Sequence, residues 1–128
     1  MTSYLADTDV IIDHLGGRAD VDRLVLVEPA SIFVSIISVA ELYEGVYRHT
    51  DQEHHRRGLD SFLLDVTVLN VDAEIARIFG KLRASLRRTG ELIDNFDLLI
   101  AATCLRHGLT LLTDNIRHFK RIPGLNIA

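Results

Sequence analysis

"DNFDLLIAATCLRHGLTLLTDN", residues 94–115, carries most of the information about how this chain folds. From Phe96 to His107 it is apolar on nearly every side, so it predicts a central helix packed on all faces, not an amphipathic one lying on a surface. Asp94 stands where an N-cap belongs, with Asp97 three residues on as a weaker partner in the same capping box. Gly108 is a natural stop. "LTLLT" (109–113) follows at once, short and apolar, as a strand buried on both faces of a parallel sheet would be. Thr113-Asp114-Asn115 then reads as a turn that opens a short helix.

Outward from this segment the same alternation recurs. "SYLA" (3–6), "IFVS" (32–35) and "VTVLN" (66–70) are brief apolar runs bounded by polar or turn residues, and "LNIA" (125–128) is a candidate fifth. Between them lie helical patterns. In "DAEIARIFGKLRASLRR" (72–88), Ile75, Ile78, Phe79, Leu82 and Leu86 form one stripe, and in "VAELYEGVYRH" (39–49) Leu42, Val46 and His49 do so beside Tyr43 and Tyr47. "QEHHRRG" (52–58) reads as a solvated helix, which leaves His54 and His55 as surface residues. Strands alternating with helices predict an α/β domain with a central, mostly parallel sheet of four to five strands.

The 128 residues suit one domain, 1–128, and 48% hydrophobic with 25% charged residues is the composition of a folded globular chain. One cysteine, Cys104, excludes an internal disulfide, and no Cys/His pair has zinc spacing. The start of the chain lacks the pattern of a signal peptide, and its most apolar stretch is too short and serine-rich to span a bilayer, so the expected setting is the cytoplasm, with no membrane. A net charge of −4 argues against coating nucleic acid by charge alone. Two basic clusters stand apart from the acids: Lys81, Arg83, Arg87 and Arg88, then Arg117, Lys120 and Arg121.

In open α/β sheets ligands bind beyond the carboxyl ends of the strands. Asp7 follows the first strand and Glu41 lies early in the helix after the second. Asp94 and Asp97 open the central helix, and Asp114 and Asn115 follow the fourth strand. Each has a purely structural reading: Asp7 or Thr8 as a helix cap, Ser38 to Glu41 as a capping box, Asp94 as a cap, Asp114 as a turn residue. Together they are harder to explain by capping. Carboxylates crowded in apolar surroundings repel one another, and such a cluster persists where a cation occupies it. All-oxygen donors point to magnesium, or manganese, over zinc. That chemistry can activate a water and steady a phosphate oxygen.

The chain resembles the PIN-domain ribonucleases, and among them the VapC-type toxins of VapBC toxin–antitoxin pairs. "YLADTDVIIDHL" is similar to that family's opening strand with its Asp-Thr pair, "SIISVAELYEGV" to its second segment, and residues 94–125 to its C-terminal signature, with the Asp-x-x-Ile-Ala-Ala core, the Thr-x-Asn turn and the His-Phe and Ile-Pro-Gly-Leu elements. The resemblance implies a three-layer α/β/α domain and Mg2+-dependent cleavage of RNA. It implies Asp7, Glu41 and Asp97 as metal ligands, and Asp114 or Asn115 at the fourth position. Asp9, Asp94, Thr8 and Thr113 would support them, Asp9 standing where relatives often carry Asn. It further implies a homodimer silenced by a VapB-type antitoxin in a heterotetramer or larger assembly. Asp13, one turn beyond Asp9, is expected at the surface. His118 is expected to pack or touch RNA. Rival readings are a PIN-like domain that binds without cutting and a haloacid-dehalogenase-type phosphohydrolase, for which Asp7-Thr8-Asp9 imitates the Asp-x-Asp opening. A receiver-like signalling module is a third, but it requires a lysine after the last strand that is absent here.

Overall fold

The computed structural model describes residues 2–128. Four strands, β1 (Tyr4–Ala6), β2 (Ile32–Ser35), β3 (Thr67–Leu69) and β4 (Thr110–Leu112), form one sheet in the order β3-β2-β1-β4, every pair parallel. The fifth expected strand contributes a single parallel bridge, Leu111 to Ile127. Six helices connect and cover the strands: α1 (Thr8–Leu15), α2 (Ile36–Tyr47), α3 (Gln52–Asp65), α4 (Ala73–Thr89), α5 (Asn95–His107) and α6 (Ile116–Phe119).

Period-two alternation along the strands divides the interior into two cores. Ala6 and Leu112 point to one face, where Val10, Ile11, Leu42, Val46, Leu59 and Phe62 of α1, α2 and α3 meet them. Leu5 and Leu111 point to the other, against Leu86, Leu98, Ile100, Ala101, Cys104 and Phe119 of α4, α5 and α6. The sheet therefore lies between two helical layers. α5 is the buried helix its composition predicts: Leu98, Ile100, Ala101, Ala102 and Thr103 have no exposed surface. Burial of one such large apolar side chain is worth roughly 1.5–3 kcal/mol, so α5 holds the second layer to the sheet. Gly108 ends it at φ +65°, its N–H returning to the Cys104 carbonyl, a conformation costly for any residue with a Cβ.

Strand order makes β1 the pivot. The chain leaves β1 towards β2 and β3, then returns through α4 and α5 to place β4 on β1's other side. The loops leaving β1 and β4 diverge there and open the crevice at which parallel sheets bind ligands.

One expected local motif is different. Ser38 does not cap a helix. α2 begins earlier, at Ile36, with Ser35 as N-cap accepting from the Ile37 N–H at 3.1 Å. Ser38 and Glu41 therefore lie within the helix. Asp13 is also less open than expected, being largely covered and paired with Arg18 at 3.2 Å.

Candidate active site

Asp7 is the centre of the crevice. Its backbone N–H continues the sheet by donating to the Leu112 carbonyl at 2.9 Å. Its side chain caps α1, Oδ1 accepting from the Thr8 N–H at 2.9 Å. Oδ2 accepts from the Thr113 hydroxyl at 2.7 Å. The first and fourth strands are thus joined through one carboxylate that is only 5% exposed. Burial pushes the Asp7 carboxyl up to about 6; the bonds from Thr113 and Thr8 pull against that, and the charges of Asp97 and Glu41 add to it.

The other acids converge from different elements. Glu41 faces inward from α2, and the Thr8 hydroxyl donates to its Oε1 at 2.8 Å while also contacting Ser38 Oγ at 3.0 Å. The residues read as a capping box thus turn their side chains to α1 instead. Asp94 is the N-cap of α5, accepting from the Phe96 N–H at 3.0 Å. That directs Asp97, one turn in, towards the crevice. Burial raises the Asp97 carboxyl to about 6, with Asp94, Glu41 and Asp9 adding repulsion. Asp9 rises to about 6 as well, through burial first and then the charges of Asp7 and Asp114. One of its oxygens, Oδ1, is buried with no hydrogen-bond partner. A buried anionic oxygen left without a donor is expensive.

The turn after β4 separates the two candidates for the fourth position. Asp114 is exposed, with Oδ1 3.6 Å from Arg23 Nη1. Asn115 is half-buried; its N–H donates to Thr113 Oγ1 at 3.0 Å and its side-chain amide meets His118 Nδ1 at 2.9 Å. His118 is thereby tied to the turn, while Phe119 beside it is fully buried. His54 and His55 are exposed on α3 as expected.

Sequence reasoning missed two residues here. Arg23 lies in the irregular connection before β2, where no periodicity marks it. Phe96, 48% exposed beside Asp97, is an aromatic at the rim of an acidic crevice. Two members of the basic clusters also border this edge. Arg83 donates to Asn95 Oδ1 at 2.9 Å, and Arg121 reaches the Leu92 carbonyl at 3.5 Å.

The donor set fits a hard divalent cation: carboxylate oxygens only, three of them raised by burial and mutual repulsion, and one orphaned. Among the described residues no three acidic, histidine or cysteine side chains lie close enough together to grip a metal ion as they stand. The acids thus form an open cluster, coupled through their charges.

A PIN-domain model matches residues 4–125. The chain belongs to the PIN-domain family, in its VapC branch. It is 34% identical over 125 residues to ribonuclease VapC2 of Rickettsia felis, covering 95% of this chain and 93% of that protein. It is 29% identical to the tRNA(fMet)-specific endonuclease VapC of Shigella flexneri, covering 98% and 96%. Among solved structures, VapBC from Salmonella typhimurium bound to DNA superposes with a TM-score of 0.90 at 28% identity, over 100% of this chain and 98% of that one. VapBC2 of Rickettsia felis bound to a fragment of its promoter gives 0.86 at 30%, over 99% and 98%. The four-stranded parallel sheet flanked by helices is thus the PIN architecture, as the sequence resemblance implied.

Proposed function

We propose that this PIN domain is a metal-dependent endoribonuclease, acting in the cytoplasm as the toxin of a VapBC-type pair. The observation that carries the reading is the convergence of Asp7, Glu41 and Asp97 from three separate elements on the crevice beyond β1 and β4. Threonine hydroxyls from other elements hold Asp7 and Glu41 there, and the charges of Asp94, Glu41 and Asp9 bear on Asp97. Relatives bearing the name ribonuclease across the full length of the chain support it.

Asp7, Glu41 and Asp97 would hold Mg2+ or Mn2+, with Asp114 or Asn115 closing the set. When bound, the ion supplies charge for a phosphoryl oxygen and lowers the pKa of a water. The chain's own part is geometric. Thr113 fixes one oxygen of Asp7, Thr8 fixes one of Glu41, and the Asp94 cap sets the turn that presents Asp97. Asp9 adds negative charge beside Asp7 and Asp97. Water adds to the phosphorus in line as the 3′ oxygen leaves with a proton, giving a 5′ phosphate and a 3′ hydroxyl. Arg83 and Arg121 line the approach, and Phe96 offers a face on which an unpaired base stacks. That arrangement favours single-stranded loops, whose bases are accessible.

An antitoxin of the VapB type would use the groove between α1, α2 and α3, a space of about 690 Å³. Its apolar lining includes Ile12, Leu15, Leu42, Val46 and Leu59, and Glu41 also faces it. A partner seated there can extend a basic side chain to the acids. The toxin itself would be a homodimer.

The test is cleavage of end-labelled total RNA by purified, antitoxin-free protein, with Mg2+, with Mn2+, with chelator, and with Asp97→Asn. Discrete cuts that need both metal and Asp97 are expected. Native-rate cleavage by a folded Asp97→Asn protein would remove the site assignment. Binding without cutting, with metal present, would make this a non-cleaving PIN domain.

A further inference from the structure

The connection between α1 and β2 is irregular, yet its middle is anchored on both sides of Arg23. Asp22 accepts from the Leu24 N–H at 2.9 Å and pairs with His14 Nδ1 at 2.9 Å, and the His14 ring leans on Phe62. Leu24 is 2% exposed, buried in the core beneath α1. Arg23 therefore leaves a fixed backbone. Its Nη1 donates to the Thr113 carbonyl at 2.7 Å and lies 3.6 Å from Asp114 Oδ1. Thr113 is fully buried, and its hydroxyl holds Asp7 Oδ2 while accepting from the Asn115 N–H. Arg23 thus grips the backbone of the residue whose side chain grips the central acid.

We propose that Arg23 is a positioning residue for the cleavage reaction, a latch that fixes the Thr113–Asn115 turn through the Thr113 carbonyl and the Asp114 carboxylate. The proposal rests on the nuclease reading above for its activity arm, and on geometry alone for its structural arm. An ordinary surface arginine making an ion pair contributes almost nothing. Arg23 differs because its carbonyl contact is short and its backbone is pinned on both sides. An arginine that instead bound the substrate phosphate would act in the site independently of Thr113.

The experiment uses Arg23→Ala, Arg23→Lys, Thr113→Val and the Arg23→Ala/Thr113→Val double variant. Three readouts are taken: kcat, KM, and hydrogen exchange of the Asn115 amide, whose acceptor is Thr113 Oγ1. Melting curves confirm that each protein is folded. Arg23→Ala is expected to lower kcat by about 10- to 100-fold with KM within about twofold, the signature of lost alignment rather than lost substrate binding. It is expected to speed Asn115 exchange by about tenfold or more. Arg23→Lys, which keeps a donor and a charge, restores most of both. In the Thr113→Val background, Arg23→Ala costs less than about threefold, because the two act in series. Additive losses, a rise in KM at unchanged kcat, or unchanged exchange in Arg23→Ala would overturn the proposal. If the protein cuts no RNA, the exchange measurement still decides the latch, so the two readings fail separately.

Discussion

Asp97→Asn should make the metal-free protein more stable at neutral pH, not less. The Asp97 side-chain oxygens accept no hydrogen bond among the described residues, so changing the carboxylate to an amide forfeits no partner. What it removes is an unfavourable charge. A carboxyl raised from 3.8 to about 6 by burial, Asp94, Glu41 and Asp9 is an anion that the folded state disfavours by roughly 3 kcal/mol. Asp97 is half-buried, so solvent screens part of this, and roughly 1–1.5 kcal/mol is left. For a chain of this size that is about 5 °C in Tm. The sign follows from proton binding. Between pH 4 and 6 the folded state holds more protons than the unfolded chain, so native stability falls as pH rises through that window. Below pH 4 the carboxyl is neutral in both states, and the variant's advantage disappears. The assay is a thermal melt in chelator at pH 4, 5, 6 and 7.5. Divalent ion should then reverse the order: Mn2+ at about 100 times its dissociation constant adds about 2.7 kcal/mol to the native protein and little to the variant. A variant less stable than native at pH 7.5 without metal, or an advantage that persists at pH 4, would refute the account of the acids as mutually repelling carboxylates.

Three other outcomes are expected. Thr113→Val removes a buried hydroxyl that donates to Asp7 and accepts from Asn115, and should cost about 1–3 kcal/mol in urea unfolding. Because that donor holds the Asp7 carboxyl down, the acid limb of the cleavage profile should also move to higher pH. Asp94→Ser keeps a good cap and should change stability by less than about 0.5 kcal/mol, whereas Asp94→Ala costs about 1 kcal/mol. Removing the Asp94 charge lowers the Asp97 carboxyl, so the acid limb should move to lower pH in the serine variant. Gly108→Ala forces a Cβ into φ +65° and should cost about 1–2 kcal/mol in a melt, with cleavage at 25 °C unaffected.

The strands and long helices were legible because their signals are local. "IFVS" coincides with β2, and the apolar girth of residues 96–107 anticipated a helix enclosed on all sides. What local patterns could not show was where side chains go once elements meet. Ser38 to Glu41 has the spacing of a capping box, but the β-branched pair before it is helical, because Ile36 and Ile37 follow a cap at Ser35. The Ser38 side chain then meets Thr8 across 30 positions of sequence. Arg23 was invisible for a related reason: its partners are 90 and 91 residues away, and nothing beside it is periodic. The acids themselves were legible as candidates because turn and cap positions are recognisable in sequence. Their mutual repulsion was inferred, and the raised carboxyls of Asp7, Asp9 and Asp97 give it a physical basis.

The hydrogen bond between Thr113 and Asp7 spans 106 positions of a 128-residue chain. Domains take shape from the N-terminus as they are synthesised, and contacts this distant in sequence close last. Until β4 has emerged, β1 has no neighbour on that side, Asp7 lacks its second anchor and α5 has no strand to run into. A nascent or prematurely terminated chain ending before residue 110 is therefore without a working centre. On the nuclease reading proposed above, this topology withholds the chemistry from the RNA-rich machine that makes the chain until β4 has been synthesised.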